Sequence, residues 1–457
     1  MNKSREMLGS RLGFILLSAG CAIGIGNVWR FPYITGQYGG GAFVLIYLIC
    51  LLALGIPILV MEFSVGRASK QSIVGSFKVL EKPGQKWHIY GYIGAIGNYL
   101  LMMFYVVVAG WFFAYFFGML KGDFVGLSPD EVGGYFGALV TNPLRLEIWM
   151  IVAVVSGFLI CSLGLNNGVE KITKIMMSGL LVLIVLLVVR SLTLDGAVEG
   201  LKFYLIPDIG KMMEYGAWEV IYAALGQAFF TLSIGIGSMA IFGSYLSDER
   251  KLTGEAISVT ILDTVVAIMA GLIIFPACFA FGVNPGEGSG LVFVTLPNIF
   301  NEMPGSQLWG TLFFLFMLFA AMSTVVAVFE NIISICMDKF GITRKKACLI
   351  NVFALIILAT PTVLGFSVWS GFAPLGEGTV VLDLLDFIVS NNLLPIGSII
   401  YLVFCVTRYG WGWDNFIAEA NKGKGINYPK WIKGYVTYVI PLICLVIFVQ
   451  GYIAKFF

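Results

Sequence analysis

Runs of apolar residues long enough to cross a bilayer alternate with short polar connections along almost the whole chain. A membrane-spanning helix needs about 20 predominantly apolar residues. Eleven spans are expected on that measure, at about 9–37, 40–65, 90–119, 146–163, 171–192, 217–246, 255–282, 308–340, 346–369, 379–407 and 435–454. The eighth is long enough to demand tilt. Two spans break the pattern. The first contains Gly20-Cys21-Ala22-Ile23-Gly24-Ile25-Gly26-Asn27, which is poor helix, because each glycine costs roughly 1 kcal/mol against alanine. Asn27 and Arg30 follow at a depth where lipid penalises polar groups. The sixth repeats the oddity at Phe230-Thr231-Leu232-Ser233-Ile234-Gly235-Ile236-Gly237. Irregular backbone survives at membrane depth only where protein covers it or a watery cavity receives it. Both spans therefore read as helices broken around something polar.

The two broken spans sit at corresponding places. Spans one to five (about 9–192) and six to ten (about 217–407) form two halves, each opening with a broken helix. Five is odd, so the halves insert in opposite directions. That is the inverted-repeat plan, with a binding site near the bilayer midplane. The last span, about 435–454, lies outside the two repeats. The expected fold class is an all-α polytopic membrane protein, one transmembrane domain over 1–457.

Charge sets the expected orientation. Lys3, Arg5, Arg11, Arg67, Lys70, Lys78, Lys82, Lys86, Lys171, Lys174, Lys339, Arg344, Lys345, Lys346, Arg408, Lys422, Lys424, Lys430 and Lys433 all fall on one side of the eleven spans. The positive-inside rule makes that side, and the amino terminus, cytoplasmic in a plasma membrane. The other connections, 121–145, 191–216 and 283–307, are longer and carry acids, with a short capping helix expected near 292–304. Residues 1–10 are polar and lead directly into the first span, so no cleavable leader is expected.

Composition agrees and excludes other classes. The chain is 59% hydrophobic and 12% charged with a net charge of +2, which leaves no basic face for nucleic acid. Its eight cysteines form no C-x-x-C pair and lie almost entirely in apolar runs, as buried small hydrophobes. The lone histidine, His88, fits an interfacial role. No histidine triad, metal-ligand cluster or nucleotide loop points to an enzyme.

Arg11-Leu12-Gly13, Gly24-Ile25-Gly26-Asn27, Arg30-Phe31-Pro32, Gly39-Gly40-Gly41-Ala42-Phe43, Gly55-Ile56-Pro57, Glu62 and Gln227-Ala228-Phe229-Phe230-Thr231-Leu232-Ser233 together carry a resemblance. On these pieces the chain resembles the neurotransmitter:sodium symporter family over nearly its whole length, bacterial members in particular. The fold this implies is the leucine-transporter fold, a 5+5 inverted repeat with discontinuous first and sixth helices. Read alone, Gly20…Gly24 is also a helix-packing spacing, and Ser323-Thr324 is a pair of hydroxyls able to bond the preceding helical turn.

The resemblance implies two sodium sites. The first uses the Ala22 carbonyl, the Asn27 side chain, Thr231 and Asp263, with the substrate carboxylate completing the shell. The second uses the carbonyls of Gly20, Ile23 and Ala320 with the hydroxyls of Ser323 and Thr324. Gly24 and Gly26 offer amides to the substrate carboxylate and Tyr105 its hydroxyl. Leu101, Ile25, Phe230, Ser233, Ile236, Thr324 and Val328 line the side-chain cavity. Amine transporters that resemble this chain carry an aspartate at the Gly24 position; glycine leaves the carboxylate to the substrate, so an amino acid is implied, and the apolar wall implies a hydrophobic one. Chloride-dependent relatives carry asparagine where this chain has Asp263 and serine where it has Ala267, which implies chloride-independent transport and opens the way to proton antiport. Asp263 also stands open to a purely structural reading. Arg30 and Asp386 match an outer gate pair. Arg5 and Asp338 match an inner one, supported by Tyr245. Glu62 is expected on the amides of the sixth span's break. Relatives often carry proline ten residues beyond the position of Gly168, where this chain has Ser178-Gly179.

The implied function is sodium-coupled symport of hydrophobic amino acids by alternating access. Narrow aromatic selectivity and a receptor that binds without translocating are the rival readings. The expected partners are a small-molecule substrate, sodium ions and the lipid bilayer.

Overall fold

The computed structural model describes residues 6–283 and 290–457. It is all helix, with no strand among the described residues beyond two isolated bridges. Nine helices among these residues are long and apolar enough to cross a membrane, and the pair Arg11–Ala22 and Gly26–Gln37, bent by 55°, makes a tenth. The remaining expected span is two pieces: Ala217–Thr231, of 15 residues, and Ser238–Ser244, of 7. Exposed apolar side chains such as Leu159, Val182, Ile357 and Leu442 stand on the outside of the bundle, as a lipid-facing surface requires.

Local chemistry explains both breaks. Ser10 caps the first helix, its hydroxyl accepting the Gly13 N–H at 3.0 Å. The helix ends where Ile23 turns to extended backbone (φ −72°, ψ 93°). Asn27 then bends back, its side-chain oxygen accepting the Gly24 N–H at 3.3 Å. Such side-chain-to-backbone bonds compete with the helical ladder. The chain re-enters helix through a π-helical turn, Gly26–Arg30, a form often found at functional sites. In the second break Ser233, Gly235 and Gly237 all take positive φ, at 50°, 105° and 76°. A Cβ at Gly235 would strike the Leu394 carbonyl, so glycine is required there twice over. Glu62 accepts the Gly235 N–H and the Tyr90 hydroxyl donates to the Gly235 carbonyl.

Two long helices, His88–Lys121 and Ser306–Phe340, pack against each other through the centre. Ser306–Phe340 also packs against Arg11–Ala22. These elements bring the two breaks together.

Beyond the bundle, helix Trp413–Ala420 packs against Ile56–Ser69, and the chain after it pairs with the 246–251 connection, the Lys424 N–H donating to the Glu249 carbonyl at 2.8 Å. The fully buried Arg67 joins them, with Nε 2.5 Å from the Glu419 carboxylate and Nη1 donating to the Arg250 carbonyl at 2.6 Å. Lys422 lies 2.5 Å from Asp248, and its hydrogen bond holds that carboxyl below the usual range. His88 Nδ1 sits 2.7 Å from Glu81, a structural contact at a helix start. All eight cysteines are buried and free.

Candidate functional site

The free carbonyls of the first break and the side chains opposite them form two oxygen clusters with a cavity between. In one, Thr324 Oγ1 lies 3.1 Å from the Gly20 carbonyl, 3.4 Å from that of Ile23 and 3.5 Å from that of Ala320. Ser323 Oγ lies 3.4 Å from the Ile23 carbonyl and 3.0 Å from that of Ala320. All five residues expected for the second sodium site thus meet in one place. The back-bonding to Ala320 and the reach across to the first helix are both present. This set is neutral and oxygen-only, which suits a hard cation.

In the other cluster, Asn27 Nδ2 donates to Asp263 Oδ1 at 2.8 Å and to the Asp263 carbonyl at 3.2 Å. Thr231 Oγ1 donates to Asp263 Oδ2 at 3.1 Å. Tyr47 lies beside Thr231 and Asp263, and Gln227 Nε2 donates to the Gly26 carbonyl at 2.9 Å. Asn27, Tyr47, Gln227, Thr231 and Asp263 are all essentially sealed from solvent. An ionised Asp263 would give a cation beside it a strong partner in this water-poor site.

Between the clusters lies a narrow cavity lined by Ala22, Gly24, Ile25, Gly26, Leu101, Tyr105, Phe230, Ser233, Ile236 and Thr324. Only about 20 Å³ of it can hold the centre of a water molecule, so a bulky side chain enters only if the walls yield. Tyr105 Oη accepts the Ile25 N–H at 3.2 Å. A Cβ on Gly24 would press against the Tyr105 hydroxyl and come within 2.6 Å of Thr324 Oγ1, and one on Gly26 would come within 2.9 Å of the Phe230 ring. The two glycines let bare backbone line the cavity, with the Gly24 N–H held by Asn27.

Three wall residues carry no mark in the sequence: Cys21, Val389 and Leu394. Each is an apolar residue in an apolar span. Val389 and Leu394 enter because the tenth span carries a π-helical stretch, Phe387–Leu393, beside the site. Val328 is fully buried but does not reach the cavity.

The outer pair is not brought together. Arg30 lies with its guanidinium 4.3 Å from the centroid of the Phe230 ring, a cation–π contact that takes the place of an ion pair. Asp386 instead accepts the Ser390 hydroxyl at 2.7 Å. Of the inner pair, Arg5 lies outside the described residues, while Asp338 accepts the Ser72 N–H at 2.7 Å. The Tyr245 hydroxyl donates to Glu330 at 2.7 Å and meets Ser334 at 2.7 Å. Glu330, for which the sequence offers no role, is fully buried and gripped by Arg344 at 2.5 Å, and Arg344 also holds Glu6 at 2.8 Å.

Comparison with known proteins places this arrangement in a family. Residues 5–125 and 138–456 match the model of the sodium:neurotransmitter symporter family. The chain is 35% identical over 449 residues to the uncharacterized sodium-dependent transporter YhdH of Bacillus subtilis, covering 96% of each chain. It is 26% identical over 496 residues to the sodium- and chloride-dependent GABA transporter 2 of Mus musculus, covering 97% of this chain and 79% of that one. The crystal structure of MhsT in complex with L-phenylalanine superposes with a TM-score of 0.87 at 38% identity, covering 98% of this chain and 100% of that one. The chain therefore belongs to the sodium:neurotransmitter symporter family and is a sodium-dependent membrane transporter, not an enzyme.

Proposed function

We propose that this protein couples sodium entry to uptake of hydrophobic amino acids, without chloride. The observation that carries the reading is the cavity set between two oxygen clusters, with the glycine backbone of Gly24 and Gly26 on one wall and apolar side chains on the other. Backbone amides suit a carboxylate. Ala22, Asn27, Thr231 and Asp263 would hold one sodium together with that carboxylate. Gly20, Ile23, Ala320, Ser323 and Thr324 would hold the second. A substrate that is itself a ligand of the ion couples the two directly, because each then strengthens the other's binding reciprocally.

The absence of space for a Cβ at Gly24 supports an amino acid over an amine, since no protein carboxylate fits where the substrate's own would lie. Asp263 supplies a fixed negative charge where chloride would otherwise serve, and it is the group able to carry a proton back once the sodium leaves. Arg30 and Asp386 on one side, and Arg5, Asp338 and Tyr245 on the other, would gate the cavity in turn. The basic connections support a cytoplasmic amino terminus in the plasma membrane.

Aromatic preference is the second reading, favoured by the phenylalanine bound to MhsT. The test is uptake of radiolabelled leucine and tryptophan into proteoliposomes under an inward sodium gradient, with gluconate replacing chloride. Accumulation that collapses when sodium is equalised is the expected result, and comparison of the two labels sizes the pocket. Binding of both without sodium-driven accumulation would favour a receptor.

A further inference from the structure

One face of helix His88–Lys121 carries a feature that the ion and substrate sites do not use. Gly94, Gly97, Asn98, Leu101 and Tyr105 follow one another at helical spacing. Leu101 and Tyr105 line the cavity. The residues one and two turns below them lie against the broken strand of the sixth span. A Cβ on Gly94 would strike Ile73 and come within 3.2 Å of the Ile236 carbonyl oxygen, and one on Gly97 would come within 3.1 Å of Leu393 Cδ1 and 3.2 Å of Ile236 Cγ2. The two glycines let the strand lie hard against the helix.

Asn98 then fastens it. Its Nδ2 donates to the Ile236 carbonyl at 3.0 Å and to the Gly94 carbonyl at 2.7 Å. Its Oδ1 accepts the Ser238 hydroxyl at 3.0 Å and Asn331 Nδ2 at 2.9 Å. Asn98, Ser238 and Asn331 are all fully buried. The amide therefore ties three elements together and uses both donor and acceptor capacity. Buried polar networks of this kind fix one arrangement of the groups they join. Here the group fixed is Ile236, whose side chain forms part of the cavity wall. Ile236 is flanked by Gly235 and Gly237, both at positive φ; Glu62 and Tyr90 hold Gly235, and Asn98 holds the Ile236 carbonyl itself.

We propose that Asn98 is a positioning residue that sets the size of the side-chain pocket, by pinning the Ile236 carbonyl and so the Ile236 side chain. The inference rests on the amino-acid reading of the cavity. Asn98 touches no substrate; it acts through Ile236. With the pin in place the wall stands where a side chain of limited bulk fits best. With it gone, the strand between the flanking glycines yields to larger ones.

The experiment compares inhibition of sodium-dependent radiolabelled leucine binding by leucine, phenylalanine and tryptophan, in purified wild type, Asn98→Ala and Gly97→Ala. Asn98→Ala is expected to move the tryptophan-to-leucine ratio of inhibition constants toward tryptophan by about tenfold, the scale of one methylene of fit. Its half-saturating sodium concentration stays unchanged. Gly97→Ala, which pushes Ile236 from the side-chain face, is expected to move the ratio the other way. A purely structural Asn98 would lower the yield of active protein and leave the ratio alone. An unchanged ratio in Asn98→Ala overturns the proposal, as does an unchanged ratio in Gly97→Ala should the first variant not fold. Wild-type protein that binds none of the three amino acids in sodium overturns the amino-acid reading itself, and this inference with it.

Discussion

At the scale of single residues the account turns on Gly24 and Asp263. Gly24 has no room for a side chain, because Tyr105 and Thr324 occupy the space a Cβ would take. Gly24→Ala should therefore fold and still lose affinity for leucine by about tenfold or more, equivalent to ~1.4 kcal/mol. Equilibrium binding of labelled leucine checks it, and wild-type affinity in that variant would show that the substrate does not lie against Gly24. Asp263 is bonded by Asn27 and Thr231 with no basic partner in the cluster. On the proposed role, Asp263→Asn should make sodium-driven uptake depend on chloride. Uptake in that variant that is as fast in gluconate as in chloride would contradict the role. Asn27 and the glycines around it were legible as residues out of place in lipid, while Thr231 and Asp263 were legible only through the family resemblance. Cys21, Val389 and Leu394 were not legible, since an apolar residue in an apolar span looks the same whether it faces lipid, core or cavity. Asn98 offered the same signal as Asn27, a lone amide in an apolar helix, and shows what a fuller reading of that signal yields.

At the scale of elements the two breaks differ in how they are held. The first is fixed by its own chain, through Asn27 folding back to Gly24. The second is fixed from outside, by Glu62, Tyr90 and Asn98 on neighbouring helices. Glycine-interrupted sequence announces both breaks, but what braces the second is a set of distances between helices, which no local pattern encodes. The same limit applies to Arg30 and Asp386: each is a plausible gate partner by position, yet Arg30 settles over the Phe230 ring. Outside the membrane, Lys422 holds the Asp248 carboxyl below its ordinary range. A depressed folded pKa contributes stability that is present above the unfolded value of about 3.9 and is lost as pH falls through the folded value. Hydrogen exchange in residues 413–424 should accordingly stay constant from neutral pH down to about 4 after correction for intrinsic rates. Protection that fades already between about pH 7 and 5 would mean another group fastens this segment.

At the scale of the molecule, transport requires the cavity to open to each side in turn, and the contacts that close one side must be breakable. The Glu330–Arg344–Glu6 chain joins the middle of the bundle to the amino-terminal segment. Glu330 is fully buried, and removing one partner of a buried ion pair typically costs about 3–5 kcal/mol because the other charge is left stranded. Arg344→Ala should lower thermal stability in detergent markedly, and adding Glu330→Gln should recover most of the loss. A double variant no more stable than Arg344→Ala would show that a stranded Glu330 charge is not the cause of the loss.

The central claim is that ion and substrate share one site, and binding linkage tests it most directly. Labelled leucine binding to purified protein should be measured across sodium concentrations against choline, and sodium binding with and without leucine. The account predicts that sodium raises leucine affinity and that leucine raises sodium affinity by the same factor. Leucine affinity that is equal in sodium and in choline would contradict it.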